Sequence, residues 1–260
     1  MQMQDMYANY HTHTTRCKHA KGSMREYVEN AINNGIRILG FADHVPMPFS
    51  VEHYSTYRMS VCETEEYVKE IINLREEYKD QIKILIGYEA EYYPKEFKNM
   101  LDNIKSFQCD YIIMGQHFIY NEYDGPYVYI PCGVDVLKQY VSQVIEGLST
   151  NKFSYLAHPD VITFVGDNSL YIQHMTTLCE AAKELKIPLE FNLLGFQEKR
   201  SYPSKPFWEL VSKIGNQVVI GCDAHKPELV GNKKIYNEAL DFLNSLKITP
   251  VKEIELKPIK

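Results

Sequence analysis

The sequence predicts an α/β protein, a distorted seven-stranded (β/α)7 barrel of the TIM-barrel kind, on three observations. Apolar strand-like runs alternate with helix-like segments along nearly the whole chain, the pattern of βαβ units that builds a parallel sheet. Seven of those runs end in metal-type side chains: YANYHTH (His11, His13), ILGFADH (Asp43, His44), ILIGYEAE (Glu89, Glu91), YIIMGQH (His117), FSYLAHPD (His158, Asp160), LEFN (Glu190, Asn192) and VVIGCDAH (Asp223, His225). In a barrel of parallel strands these C-terminal ends meet at one mouth, where catalytic groups are placed. A doubly wound open sheet would gather ligands at one switch point instead. The third observation is size: 260 residues, 45% of them hydrophobic, suffice for one substantial core, so a single domain spanning 1–260 is expected.

After the first strand, Ser23 opens SMREYVENAINNG as N-cap, Glu26 completes a capping box, and Gly35 stops the helix. The strand IRILGFADH then runs into a Pro- and Tyr-rich loop from Val45 to about Cys62. Thr64 begins TEEYVKEIINLREEYKDQ, in which Val68, Ile71, Ile72 and Leu74 form an apolar stripe at helical spacing. The alternation continues with strand IKILIGYEAE, helix EFKNMLDNIKSF, strand DYIIMGQHF and helix VDVLKQYVSQVIEGLS. Three further units pair FSYLAH with LYIQHMTTLCEAAKELK, IPLEFN with PFWELVSKIG, and QVVIGCDAH with KKIYNEALDFLNSLK. The tail ITPVKEIELKPIK is placed as an edge strand or as a cover for the barrel.

A net charge of −6 with scattered Lys and Arg argues against a nucleic-acid surface built on a broad basic face. A small anionic substrate stays compatible, because bound cations can reverse the local field. The start MQMQDMYANYHTH has no basic region followed by an apolar stretch, and no apolar run is long enough to cross a bilayer. A soluble cytoplasmic protein is the expectation. The six cysteines, Cys17, Cys62, Cys109, Cys132, Cys179 and Cys222, form no CxxC pair, which favours reduced thiols and leaves the main ligation to other residues.

His11 and His13 have period-two spacing, so on a strand both imidazoles face one side and can grip one cation. His19, in the loop RCKHAKG, either bends back over the mouth or is an exposed loop residue. Glu89 and Glu91 also share a face, and a carboxylate can bridge two metals through its two oxygens. Glu89, nearer the apolar run, is the choice for the bridge. Asp223 and His225 repeat the spacing and can serve neighbouring cations, while Cys222 points the other way as a small buried residue. A lone histidine such as His117 or His158 is ordinarily a satisfied core residue, but their strand-end placement makes both of them ligand candidates. His53, in the loop, and His174, inside a helix, lack that placement and are left out.

The motifs HTH, CKHA, ADH, GYEAE, GQH, AHPD and GCDAH, in this order, resemble the polymerase and histidinol phosphatase (PHP) superfamily. The C-x-H-A step, the GYEAEY segment and the E-x-N…YP…DAH ending are similar to the monofunctional histidinol-phosphate phosphatases. The resemblance implies a trinuclear centre in which His11, His13, Glu89 and Asp223 hold one metal and Glu89 bridges to a second held by His117 and His158. His19, His44 and His225 hold the third, and Glu89, Asp223 and His225 form the catalytic set. Zinc is the first choice for these three divalent ions, with iron or manganese suited to the same imidazole and carboxylate ligands.

The chemistry implied is in-line attack on phosphorus by a hydroxide shared between two cations about 4 Å apart. The third metal would neutralise charge on the phosphoryl oxygens. No CxxxxxR loop or DxD motif supplies an enzyme nucleophile. Candidates for a phosphate-binding cation are Arg16, Arg58, Lys199 and Arg200, the last two in GFQEKR where the family carries a GLRK-like segment. The stretch VITFVGD after AHPD carries no basic residue. The expected substrate is a small phosphorylated molecule, foremost L-histidinol phosphate, hydrolysed to L-histidinol and phosphate in histidine biosynthesis. The alternatives are a PHP phosphoesterase acting on nucleotides, oligonucleotides or phosphotyrosine, and a metal-binding regulatory module without turnover.

Overall fold

Runs of β-branched and aromatic residues form the strands of the computed structural model, which describes residues 3–259. They are β1 (Ala8–Asn9), β2 (Ile38–His44), β3 (Lys83–Ala90), β4 (Tyr111–Met114), β5 (Phe153–Leu156), β6 (Leu189–Asn192) and β7 (Val218–Gly221). Neighbours pair in parallel and in chain order. A parallel bridge from Thr12 to Ala224 joins the two ends of the sheet. There His13 N–H donates to Ala224 O at 3.0 Å and Ala224 N–H donates to His11 O at 3.3 Å. The result is the nearly closed seven-stranded barrel that the alternation predicted. Its first strand is shorter than expected: regular pairing ends at Asn9, so His11 and His13 lie on the irregular segment that makes the closing bridge.

The helices are α1 (Met24–Asn33), α2 (Thr64–Glu77), α3 (Phe97–Lys105), α4 (Val134–Ser149), α5 (Asn168–Glu184), α6 (Leu193–Glu198), α7 (Lys205–Ile214) and α8 (Lys233–Ser245). Ser23 and Glu26 form the capping box at the start of α1. At its end Gly35 has φ +83°, which lets Gly35 N–H reach Ile32 O and Ile36 N–H reach Ala31 O, a Schellman ending. Helix α2 begins at Thr64 as expected but stops at Glu77, and its Ile72 faces solvent while Tyr67, Val68, Ile71 and Leu74 make the buried stripe. The sequence pattern did not reveal α6, a short helix opened by the Asn192 side chain accepting from Gly195 N–H at 2.9 Å. It has too few residues to display a helical period.

Strand alternation divides the apolar residues into two cores. On β3, Ile84, Ile86 and Tyr88 pack outward under the helices, while Leu85 points into the barrel with Tyr10, Ile38, Tyr111, Ile113, Tyr155 and Val219. Tyr111 fills the interior by lying over Gly40 and Gly87, where any Cβ would overlap its ring, and its hydroxyl donates to Tyr10 O at 2.7 Å. The C-terminal tail covers the end where the strands begin. Val251 N–H donates to Val218 O at 2.8 Å, Lys257 N–H donates to Ser154 Oγ at 3.0 Å, and Ile254 joins the inner core. With that end packed by apolar side chains, the polar residues collect at the other, and the same face of β3 passes from Leu85 through Gly87 to Glu89.

Candidate metal centre

Glu89 sits at the middle of the mouth, buried, with its two oxygens turned to different groups of imidazoles. Oε1 lies 2.8 Å from His158 Nε2 and 3.5 Å from His117 Nε2. Oε2 lies 3.0 Å from His44 Nδ1, 3.5 Å from His13 Nε2 and 3.6 Å from His11 Nε2. The parallel register makes His44 and Glu89 direct partners across β2 and β3. Asp223 Oδ1 approaches His13 Nε2 at 3.1 Å, His225 Nδ1 at 3.4 Å and His11 Nε2 at 3.5 Å. His225 Nε2 in turn meets His19 Nε2 at 2.9 Å, so the loop carrying His19 folds back over the mouth. All nine residues put forward as ligands therefore converge on one place: His11, His13, His19, His44, Glu89, His117, His158, Asp223 and His225.

The donor set suits divalent cations. Zn–N bonds of about 2.0–2.1 Å place two nitrogens of a tetrahedral site roughly 3.3 Å apart. The His11 and His13 Nε2 atoms stand 3.2 Å apart, close to that spacing, and the His19 and His225 pair is slightly closer at 2.9 Å. Ligand atoms of His11, His13 and Glu89 lie within 4.8 Å of one another, as do those of His11, His158 and Asp223 and those of His13, His44 and His225. The backbone is strained at two positions among these donors. His158 (φ +30°) and Asp223 (φ +49°) hold left-handed conformations that cost non-glycine residues energy and persist where the surroundings fix them. Close approach also requires glycine nearby, since a Cβ at Gly115 would overlap the Glu89 carboxylate and one at Gly221 would overlap that of Glu190.

A second layer of carboxylates orients the imidazoles. Glu190 Oε1 lies 2.8 Å from His11 Nδ1, and this buried carboxylate also accepts from Tyr155 OH, His158 N–H and Asn192 Nδ2. Asp43 accepts from the Thr14 hydroxyl and N–H and lies 3.5 Å from His13 Nδ1. Glu91 Oε1 lies 3.0 Å from His117 Nδ1. Such partners fix which ring nitrogen faces a metal. Burial disfavours charge on His11, but Glu190, Asp223 and Glu89 outweigh it and push its pKa up to about 10. Burial would raise the carboxyls of Glu89 and Asp223, yet His117 for the first and His11 for both hold them well below the ordinary range. His44 is driven down to about 3 by burial, which leaves it neutral with a lone pair to give.

Cys17 was passed over as a ligand, and the fold brings its buried thiol into the group with His19 and His225. Burial raises its pKa, but the neighbouring imidazoles of His13, His19 and His225 take it down to about 3. The available signal was position: Cys17 stands between His13 and His19, so a loop returning one histidine to the other must carry it along.

The basic candidates scatter. Arg16 turns away to Glu70, at 2.9 Å, and lies over the Tyr67 ring. Lys199 is exposed at the end of α6 with φ +53°. Arg58 is buried against Glu91 and Glu122. Arg200 alone of the four lines the cavity above the metal-type residues, bonded to Glu198 at 2.7 Å and to the Tyr202 hydroxyl at 2.9 Å. Lys226, which sequence reasoning missed, lines it too; its place directly after the DAH motif was the signal. That cavity has a volume of about 660 Å³, and Tyr57, Phe118, Tyr127 and Tyr129 form an aromatic wall on it. Asp160 lies apart, buried under α7, where its carboxylate accepts from Ser204 N–H at 2.6 Å. His53 pairs with Glu122 at 2.7 Å, and His174 lies within α5, both outside the cluster.

A parallel seven-stranded barrel with histidines and carboxylates gathered at one mouth defines the class, and the chain belongs to the PHP family, whose PHP domain model matches residues 9–193. Its relatives narrow the kinship. Over 232 residues it is 27% identical to the "Probable histidinol-phosphatase" of Deinococcus radiodurans, covering 85% of this chain and 87% of that protein. Over 255 residues it is 26% identical to the "Histidinol-phosphatase" of Bacillus subtilis, covering 85% and 94%. In three dimensions it superimposes on the histidinol phosphate phosphatase of Lactococcus lactis, complexed with Zn, L-histidinol and phosphate, with a TM-score of 0.74 at 17% identity, covering 96% of this chain and 99% of that one. That likeness carries the fold.

Proposed function

We propose that this chain is a metal-dependent phosphomonoesterase that hydrolyses L-histidinol phosphate to L-histidinol and phosphate. The observation that carries the reading is the division of Glu89, whose two oxygens face separate sets of imidazoles as a bridging carboxylate's do. His11, His13 and Asp223 would complete one site, His117 and His158 the second, and His19, His44 and His225 the third, with zinc first among the metals and iron or manganese as alternatives. Bound divalent ions would supply charge neutralisation at phosphorus and a nucleophile from water near neutral pH.

The chain's own residues do the rest. Glu190 and Glu91 hold the imidazoles of His11 and His117 in the orientation that ligation needs, and Asp43 lies beside that of His13. Arg200 and Lys226 place positive charge on the rim, where a phosphate dianion would enter. The wall of Tyr57, Phe118, Tyr127 and Tyr129 offers flat apolar surface to a leaving alcohol that carries an aromatic ring. A cavity of about 660 Å³ suits a small monoester. The similarity to histidinol-phosphatases over most of the chain supports the same substrate.

One sheet formed from residues 8 to 221 supports a single domain over 1–260. No helix among the described residues is long and apolar enough to cross a membrane. The six cysteines are free thiols, which accords with the reducing conditions of a cytoplasmic location. The test is phosphate release from histidinol phosphate, phosphotyrosine, nucleotides and a short oligonucleotide by protein reconstituted with zinc, iron or manganese. Rapid release from histidinol phosphate that His11→Ala abolishes is the expected result. A preference for another ester would overturn the substrate, and no turnover with any metal would overturn the enzyme.

A further inference from the structure

Arg58 looked in sequence like a phosphate ligand, yet its side chain is only 1% exposed and cannot meet a substrate. It sits instead at the centre of a closed polar network. Its Nε donates to Glu122 Oε2 at 2.7 Å, its Nη1 donates to Val45 O at 2.9 Å, and its Nη2 binds both Glu91 Oε2 and the Tyr57 hydroxyl. The other oxygen of Glu91 lies 3.0 Å from the Tyr57 hydroxyl and 3.0 Å from His117 Nδ1. His117 turns its remaining nitrogen, Nε2, toward Glu89 at 3.5 Å. A chain of contacts thus runs from the guanidinium through Glu91 to one imidazole of the proposed second metal site. Tyr57, in the same network, also faces the cavity.

We infer that Arg58 is a positioning residue for that site: it fixes the rotamer of Glu91, and Glu91 in turn holds His117 with Nδ1–H occupied and Nε2 free to bind a cation. The reason is geometric. Glu91 and Glu122 are both 2% exposed at the side chain and both turned to one guanidinium. Without it, two buried carboxylates confront each other, and Glu91 loses the partner that keeps its other oxygen against His117. Carboxylate partners of metal-binding imidazoles tune metal affinity through orientation and tautomer, so the effect belongs in binding and not only in folding. This inference rests on the metal-centre reading given under Proposed function.

The experiment is zinc binding by chelator competition, with bound zinc counted by mass spectrometry, on the wild type, Arg58→Met, Arg58→Lys, His117→Ala and the Arg58→Met/His117→Ala double variant. Arg58→Met is expected to weaken about 10- to 100-fold the same zinc equivalent that His117→Ala removes, leaving the others unmoved. The double variant should bind as His117→Ala does, and Arg58→Lys should recover part of the affinity. If Arg58→Met lowers the melting temperature but binds every equivalent like the wild type, or if its effect adds to that of His117→Ala, the positioning role is overturned. Should Arg58→Met fail to fold, Glu91→Gln decides the question by the same criteria. A wild type that binds no zinc, iron or manganese would instead overturn the metal centre itself.

Discussion

His19 and His225 lie 206 residues apart in the chain, yet their Nε2 atoms face each other across 2.9 Å. Two local contacts make this possible. Lys21 N–H donates to His225 O at 2.9 Å, which fastens the loop after the first strand to the end of the last, and within that loop Cys17 Sγ accepts from Ala20 N–H at 3.2 Å. Two imidazole nitrogens at that distance can share a proton or, on the proposed reading, flank a cation.

His19→Ala is therefore expected to lower bound metal and phosphate release while sparing the fold. His19 is exposed, so the metal-free variant should differ from the wild type by no more than about 0.5 kcal/mol in stability. Metal analysis beside denaturant unfolding in chelator checks both halves, and a large loss of metal-free stability would speak against a ligand role.

Glu89 divides its oxygens between two sets of imidazoles, and the backbone of Gly115 approaches it so closely that a methyl group would overlap the carboxylate. Glu89→Gln should cost more than the 10- to 100-fold typical of outer-layer changes, because it removes an ionised oxygen from both sets. Gly115→Ala should destabilise by about 1–3 kcal/mol through overpacking and displace the same carboxylate. Steady-state phosphate release and thermal unfolding would report each; a Gly115→Ala variant with wild-type turnover would show that the carboxylate can move freely.

Glu190 accepts four hydrogen bonds at the back of the cluster, one of them from His11. Glu190→Gln keeps the volume but allows its amide to present N–H to the His11 ring. Metal affinity is expected to fall about 10- to 100-fold. A competition titration measures it, and unchanged affinity would mean that His11 needs no such partner.

The contribution of the His11 and His13 imidazoles to metal-free stability should fall as pH rises, opposed by that of the depressed Cys17 thiol. The carboxylates around His11 hold its pKa up at about 10 in the folded chain against an ordinary imidazole value of about 6.5, so its contribution is complete below about 6.5 and fades as pH climbs through 10. His13 is shifted in the same direction. Metal ions compete with those protons and bind better as pH rises, so zinc should flatten or reverse the trend. Melting temperatures from pH 6 to 10, in chelator and in zinc, give the comparison; parallel curves would contradict it.

Arg200 lines the cavity with its guanidinium engaged by Glu198 and the Tyr202 hydroxyl. A hydrogen bond to a charged group contributes about 1.5–3 kcal/mol, so Arg200→Ala should raise KM for a phosphomonoester about 10- to 100-fold. Metal content should not change. Kinetics with metal analysis separate the two, and an unaltered KM would move the phosphate-binding role to Lys226.

Strand-end spacing made much of this centre legible. His44, Glu89, His117, His158 and Asp223 each close an apolar run, and period two put Glu89 on the inward face with Leu85. What spacing could not convey was which charges pair in space. Arg58 and Arg200 have similar loop surroundings in sequence, yet one is sealed between Glu91 and Glu122 and the other lines the cavity. Helix α6 was hidden because its opening signal, Asn192, also closes β6.

By itself the sequence determined the barrel and eight of the nine side chains at its mouth, because alternation and strand length are local properties written residue by residue, while His19 entered only through the family resemblance of its C-x-H-A step. Only the tertiary structure decided how those side chains divide their work. The Thr12 to Ala224 bridge that brings His11 and His13 against Asp223, the turn of Glu190 onto His11 and the clamp of Arg58 on Glu91 all join residues remote in sequence. Their geometry follows from closing the sheet and packing its interior, a constraint that no local pattern contains.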